Sequence, residues 1–370
     1  MKSKAAIIDK IKGSVLIEEY DVPEPAPGGF ILRTEICTIC GSDAHIYEGH
    51  MKALSFPNLL GHEFCGTIEK LGEGVTCDAN GESVSEGDRV VIVPTVSCGT
   101  CYNCTILKTP THCLNGIGYG SEAPHLLTGG YSQYVHIKYP NSKFFKTTAA
   151  PEVAALAEPL SIALCAYKRA GGVPFGGTIV VQGTGAIGIG AIAFAKLGGA
   201  KRIIAIGGPK NRLELVKEFG ADYTIDIEEM PDPAERLKYV KSLTPGNHGA
   251  DMVVEAAGFL PTIPQAIDML RTSGVLLELG HFTDIGPIQL NPCTQINRKN
   301  CVIHGVCGSA TEDIGLSLAT IEKGDLPYHK IVSHIIPLSK IQDAFHALSN
   351  ASYLLEGRHA CKIAVDPWME

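Results

Sequence analysis

Several features are missing from this sequence, and each absence removes a class of function. There is no run of basic residues, and 31 Lys and Arg against 39 Asp and Glu leave a formal net charge of −8. A mildly acidic chain of this kind does not suit nucleic acid or an anionic membrane as a partner. Long hydrophobic runs are missing too. The longest, around Ala186 to Phe194, is broken by glycines and falls short of a membrane span. Met-Lys-Ser-Lys at the start is followed by only four apolar residues, Ala5 to Ile8, before Asp9, too few for a signal-peptide core. Without such a leader, the thirteen cysteines point to reduced thiols or metal ligands, not to a disulfide framework, and the expected setting is the cytoplasm. No internal repeat of fixed period stands out.

What remains is a chain of 370 residues, 45% hydrophobic, enough for two or three domains with substantial cores. Its 41 Gly and 22 Pro are spread along the whole length and read as many tight turns. Residues 1 to about 150 are β-rich. Short apolar runs such as Ile31–Thr34, Phe64–Glu69 and Arg89–Val93 are separated by Gly, Pro and Asp. From about Pro159 to Val306, strands alternate with helices. The expected strands are Thr178–Gln182, Arg202–Ile206, Tyr223–Ile227, Met252–Glu255, Val275–Leu279 and Val302–Val306. The helices between them are Ile187–Leu197, Asn211–Phe219, Pro233–Leu243 and Ile263–Leu270. Such alternation with apolar strands predicts an α/β fold with a doubly wound parallel sheet. Beyond Gly308 the sequence suggests one helix around Glu312–Ile321 and a final strand over Ala360–Val365.

Gly183-Thr184-Gly185-Ala186-Ile187-Gly188 is a G-x-G-x-x-G pattern that follows a predicted strand and opens a predicted helix. In that context the glycines permit a tight turn, close approach of a pyrophosphate, and close helix–strand packing. The helix N-terminus presents N–H groups to the phosphates. The acidic residue that would bind both ribose hydroxyls at the end of the second strand is missing. Ile206-Gly207-Gly208-Pro209-Lys210-Asn211-Arg212 stands there instead. Gly207 cannot repel a 2′-phosphate, and Lys210 and Arg212 could neutralise one, which leans toward NADP. Alternatively, Gly207 and Gly208 only make a turn and NAD binds through other groups.

Cys98, Cys101, Cys104 and Cys113 place four thiols within 16 residues, a pattern that can close a tetrahedral zinc site with no open position. His112 is an alternative fourth ligand. A second, dispersed set comprises Cys40, His62, Glu63 and Glu158. One thiolate, one imidazole and one or two carboxylates suit a catalytic zinc with an exchangeable position. Cys37 and Cys40 could instead form a redox pair. That motif belongs at a helix start near a βαβ unit, and this one sits in the β-rich part, so Cys37 reads as a packing residue.

These motifs together resemble the zinc-dependent alcohol dehydrogenases of the medium-chain dehydrogenase/reductase superfamily, and within it the polyol and threonine dehydrogenase branch. The resemblance covers nearly the whole chain. It rests on Cys40-Gly41-Ser42-Asp43, Gly61-His62-Glu63, Gly87-Asp88-Arg89-Val90, the four-cysteine loop, Ala157-Glu158-Pro159-Leu160 and Gly183–Gly188, in the family's order. It implies a GroES-like catalytic domain over 1–157 and 308–370 and a Rossmann domain over 158–307. It also implies one catalytic and one structural Zn²⁺, NAD or NADP as cofactor, a small alcohol or ketone as substrate, and a homodimer or homotetramer.

By the same resemblance Cys40 and His62 are zinc ligands. Glu63 and Glu158 bind the ion or stand just behind it. Asp43 orients His62, Ser42 takes the substrate proton, and His45 passes it to solvent. Gly183, Gly185, Ala186, Ile187, Gly188, Gly207, Lys210, Arg212, Leu279 and His281 are the expected cofactor contacts. Tyr119, His281 and Arg298 are candidates for the substrate pocket. The sequence departs from the family pattern in the spacing before Cys113, in Gly207, and in an apparent insertion over Cys77–Glu86. A nucleotide-binding sensor that kept the fold is the competing expectation.

Overall fold

A computed structural model describes residues 1–51, 54–139, 141–350 and 353–370. The chain forms two compact units. The first comprises Met1–Glu158, Ala310–Gly324 and Val332–Glu370, and the second Pro159–Ser309 and Asp325–Ile331.

The first unit is built on a seven-stranded sheet. Its strands run Phe144–Lys146, Arg89–Ile92, Glu63–Leu71, Phe30–Thr38, Lys362–Val365 and Val332–Ile336, with Tyr134–Ile137 also pairing to Phe30–Thr38. All neighbours are antiparallel except the last two strands of that order, which are parallel. Phe30, Leu32, Phe64, Val90, Ile92, Val135 and Ile363 fill one core. The register decides which side chains meet at the strand ends. Thr38 lies opposite Glu63 on one side and opposite Ala364 on the other.

Just beyond Thr38 the chain turns into the helix Gly41–Tyr47, with Cys40 as its extended N-cap residue. Asp43 reaches back to accept the Cys40 amide at 3.0 Å, satisfying a donor that the first turn would otherwise leave orphaned. The buried face of this helix packs on Ile341–Ser349, with Tyr47 and Phe345 rings 5.3 Å apart. Periodicity foresees neither helix, because seven and nine residues are too few to display it. Within the 77–86 insertion, Asp78 closes the loop by accepting amides of Asn80 (2.8 Å) and Glu82 (2.9 Å) on one oxygen. The other oxygen takes the amide of Lys146 at 2.9 Å.

The second unit holds six parallel strands in the order Tyr223–Asp226, Arg202–Gly207, Thr178–Gln182, Ala250–Glu255, Leu270–Glu278, Val302–Gly305. The chain begins at the centre with Thr178–Gln182, proceeds to one edge, then returns to build the other half. This is the Rossmann-type doubly wound order, with its reversal between Thr178–Gln182 and Ala250–Glu255. Every residue of Thr178–Gln182 is buried, as a strand covered on both faces requires. The expected strands and helices all appear here, most within two residues of their predicted ends. The exception is the fifth strand, which begins at Leu270. Among the described residues no helix is long and apolar enough to cross a membrane.

Candidate active site

In the first unit, Cys40, His62 and Glu63 converge. One sulfur, one ring nitrogen and one carboxylate oxygen lie within 4.8 Å of one another. Two local features bring them there. Cys40 is held by its helix cap. Gly61, at φ +96°, lets the chain enter the Glu63–Leu71 strand, because a Cβ there would meet Tyr131 N at 2.8 Å and Cys37 Sγ at 2.9 Å. Asp43 is fully buried behind them. Its Oδ2 accepts Tyr131 Oη at 2.6 Å, while its Oδ1 has no hydrogen bond and faces His62 Nδ1 at 3.5 Å. Burial alone would lower the His62 pKa, but the Asp43 charge beside it, with the Cys40 sulfur adding, holds it well above its ordinary value.

Glu63 is 1% exposed. Lys362, 7% exposed, places Nζ 2.6 Å from one of its oxygens and 2.8 Å from the other. Thr38 Oγ1 donates to the same carboxylate. Glu158 stands half-buried at the start of the helix Ala157–Arg169. Burial pushes its carboxyl up to about 7, with His62 pulling down and Glu63 pushing up. A thiol, an imidazole and a carboxylate, with an unsatisfied buried carboxylate oxygen behind the imidazole, match the donor set and the outer support that a zinc ion requires.

Ser42 and His45 sit three residues apart on the Gly41–Tyr47 helix, hence on one face. His45 Nδ1 is 2.9 Å from His50 Nδ1. Burial and then His50 lower the His45 pKa. Cys37 is fully buried, and burial, then Asp43, raise its thiol well above the ordinary value. It is a packing residue. Tyr119 is also core: 2% exposed, bonded to Ser142 Oγ at 2.6 Å and set edge-on to Phe64.

Sulfur atoms of Cys98, Cys101, Cys104 and Cys113 likewise lie within 4.8 Å of one another. It is Cys113, not His112, that joins the other three. Cys101 Sγ is 3.5 Å from Cys104 Sγ and 3.8 Å from Cys113 Sγ. Sulfurs on a tetrahedral zinc with bonds of about 2.3 Å are about 3.8 Å apart. Amides point at them: Cys98 Sγ accepts from Thr100 (3.5 Å) and Cys101 (3.3 Å), and Cys113 Sγ from Cys98 (3.2 Å). The Thr100 amide and hydroxyl bring Cys98 down to about 5. Burial and the neighbouring thiols push Cys104 up to about 12. The four-sulfur cluster fits a structural zinc.

In the second unit the three glycines of the turn divide their labour. A Cβ on Gly183, at φ +103°, would lie 2.5 Å from Ala256 O, and one on Gly188 would lie 2.1 Å from Gly183 O. A Cβ on Gly185 would meet nothing within 4 Å. Packing therefore demands the outer two glycines, whereas the middle one faces open space at the N-cap of the helix Ala186–Leu197. That open position is where a phosphate would approach.

Gly207 is closed from above by Thr184, whose Oγ1 donates to Gly208 O at 2.8 Å. Lys210 is exposed, but Arg212 is buried. Leu279 is buried, and His281 is held against Glu278 and Glu255. Arg298 is exposed on the surface of this unit. Sequence reasoning missed Lys362, Thr38, Tyr131, Glu255 and Glu278. A lysine inside the apolar segment Cys361–Val365 was the one available signal.

Comparison with known proteins places the chain in one family. Residues 26–147 match the alcohol dehydrogenase GroES-like domain, and residues 186–323 match the zinc-binding dehydrogenase domain. The chain is 38% identical over 296 residues to 5-exo-hydroxycamphor dehydrogenase of Pseudomonas putida, covering 78% of this chain and 80% of that one. It is 32% identical over 349 residues to sorbitol dehydrogenase of Halalkalibacterium halodurans, covering 93% and 96%. An alcohol dehydrogenase structure from Thermotoga maritima superimposes with a TM-score of 0.91 at 26% identity, over 99% of both chains.

Proposed function

This chain belongs to the GroES-like, zinc-binding dehydrogenases of the medium-chain superfamily, and on that premise we propose that it oxidises a secondary alcohol to a ketone, and the reverse, with zinc and NAD or NADP. The observation that carries this reading is the convergence of Cys40, His62 and Glu63 in front of the buried, unsatisfied Asp43 Oδ1. Cys40 and His62 would hold the catalytic ion together with a carboxylate, either Glu63, which lies in the observed cluster and is steadied by Lys362, or Glu158. The ion, when bound, supplies Lewis acidity that makes the substrate hydroxyl easier to deprotonate, and the nicotinamide supplies a hydride acceptor.

The chain's own residues do the rest. Asp43 Oδ1 fixes the ring of His62. Ser42 Oγ takes the hydroxyl proton, and His45 on the same face hands it toward His50 and water. Gly185 leaves room for the cofactor phosphates at the helix N-terminus. Exposed Lys210 and the uncharged Gly207 make NADP acceptable beside NAD. Polyols, amino alcohols and related secondary alcohols are the substrate class. A cytoplasmic homodimer or homotetramer completes the reading; a cysteine-rich chain with four thiols gathered as metal donors supports the reducing compartment.

The test is a screen of metal-quantified protein with NAD and NADP against polyols, amino alcohols, simple secondary alcohols and phosphorylated alcohols, followed by nicotinamide absorbance. Turnover on one class with two zinc ions per chain is expected. One zinc per chain and no turnover on any class would instead favour a nucleotide-binding sensor.

A further inference from the structure

One largely buried cluster of titratable groups, in which only His281 is an expected cofactor contact, has no assigned role in the chemistry above. Glu255, Glu278 and His281, in the second unit, each bring one atom within 4.8 Å of the others. Glu255 ends its strand fully buried. Its Oε1 accepts from the amides of Ala257 (2.9 Å) and Gly258 (3.0 Å) and from Thr262 Oγ1 (2.8 Å). Glu278 Oε1 accepts the His281 amide at 3.0 Å and lies 2.8 Å from His281 Nδ1. Glu255 Oε2 is 3.3 Å from the same nitrogen. Three atoms of the cluster, Glu255 Oε2, Glu278 Oε2 and His281 Nε2, are buried with no hydrogen bond.

Two carboxylates around one imidazole leave at least one uncompensated negative charge when both are ionised, a costly state away from water unless a cation joins it. The adjoining backbone is stripped to glycine. A Cβ on Gly280 would lie 2.2 Å from Glu255 Oε2 and 2.5 Å from Gly258 N.

The position of the cluster suggests which cation. It stands at the carboxyl ends of Ala250–Glu255 and Leu270–Glu278, across the strand-order reversal from the Gly207 strand. A dinucleotide in a doubly wound sheet spans that reversal. With the adenosine half over Gly207, the nicotinamide half falls on the side of Glu255 and Glu278. We propose that the Glu255–Glu278–His281 cluster is the counter-charge for the oxidised nicotinamide ring and biases the chain toward binding oxidised over reduced cofactor. The inference rests on the dehydrogenase reading above. The oxidised ring carries one positive charge. When the alcohol C–H bond breaks, hydrogen and both bonding electrons pass to the ring, which becomes neutral as the ketone forms and the hydroxyl proton leaves. The carboxylates therefore attract the ring only before transfer, so they hold the oxidised cofactor more tightly and ease release of the reduced one.

The experiment measures dissociation constants of oxidised and reduced cofactor on the metal-loaded protein by calorimetry, for wild type, Glu278→Gln, Glu278→Asp and Glu255→Gln. Glu278→Gln should weaken oxidised cofactor about tenfold relative to reduced cofactor. Glu278→Asp should restore the wild-type ratio. Glu255→Gln, whose amide oxygen can keep the three hydrogen bonds of Oε1, should shift the ratio in the same direction and serves if the first variant does not fold. Equal weakening of both forms, or no change, would overturn the proposal. So would a third metal ion in wild type that Glu278→Gln removes, because the cation would then be a metal. Wild type that binds neither form would instead refute the dehydrogenase reading itself, and this inference with it.

Discussion

Replacing Lys362 alone should destabilise the protein far more than replacing it together with Glu63. The two side chains are 7% and 1% exposed, and Nζ reaches both carboxylate oxygens, at 2.6 and 2.8 Å. In Lys362→Met the Glu63 carboxylate remains buried with the Thr38 hydroxyl as its chief support. Removing one member of a buried pair typically costs about 3–5 kcal/mol. Another route gives the same scale: protonating a glutamate whose free pKa is about 4.3 at pH 7 costs about 3.7 kcal/mol. For a domain of this size that lowers Tm by about 6–20 °C. In Glu63→Gln/Lys362→Met no charge is stranded, and most of the loss should return. Thermal and urea unfolding of the two variants, with metal content matched, decides the matter. A single variant that loses less than about 1 kcal/mol, or a double variant as unstable as the single, would refute the pairing argument.

Other expectations follow from the same geometry. Ser42→Ala should lower turnover about 10²–10⁴-fold with both metals retained, as metal analysis beside initial rates would show, and unchanged turnover across pH would exclude Ser42 as proton acceptor. Gly185→Val should fold normally yet lose cofactor affinity, whereas Gly188→Ala, whose Cβ would lie 2.1 Å from Gly183 O, should lose about 1–3 kcal/mol of stability. Equal stability of these two variants would contradict the assignment of packing and ligand-facing glycines. Burial would raise the Asp251 pKa, but the Thr178 amide and Arg271 guanidinium, each at 2.7 Å, hold it below the usual carboxylate range. The unfolded chain then takes up this proton first as pH falls. The contribution of Asp251 is therefore complete above about pH 5 and lost on acidification through its depressed folded value. Asp251→Asn should flatten the acid limb of stability against pH, and an unchanged slope would disprove the linkage.

Most of the second unit is legible in the sequence because its central strands are buried on both faces. They therefore appear as unbroken apolar runs bounded by glycine, and Thr178–Gln182 is located to the residue. The metal donors are legible for a different reason: cysteine and histidine seldom fall at ligand spacing in a chain that binds no metal. What stays hidden depends on long-range register. Lys362 and Glu63 are 299 positions apart, and only the pairing of strands at Thr38 brings them to one end of the sheet. The Gly41–Tyr47 helix, which carries Ser42, Asp43 and His45, is two turns long and has no readable periodicity. Arg212 reads as a phosphate ligand by its place after Gly207. It is a buried side chain, because residues two apart on a helix point to different faces, and Lys210 takes the exposed one.

Zinc content and turnover of wild type, Cys40→Ser and Cys101→Ser, measured on the same preparations, test the central claim most directly. The dispersed residues Cys40 and His62, with Glu63 or Glu158 as the carboxylate, should hold a catalytic ion distinct from the four-cysteine site. Two zinc ions per chain are expected in wild type. Cys40→Ser should keep one zinc and lose turnover. Cys101→Ser should also lose one zinc, but from the structural site. A Cys40→Ser protein with undiminished zinc and normal turnover would contradict the account.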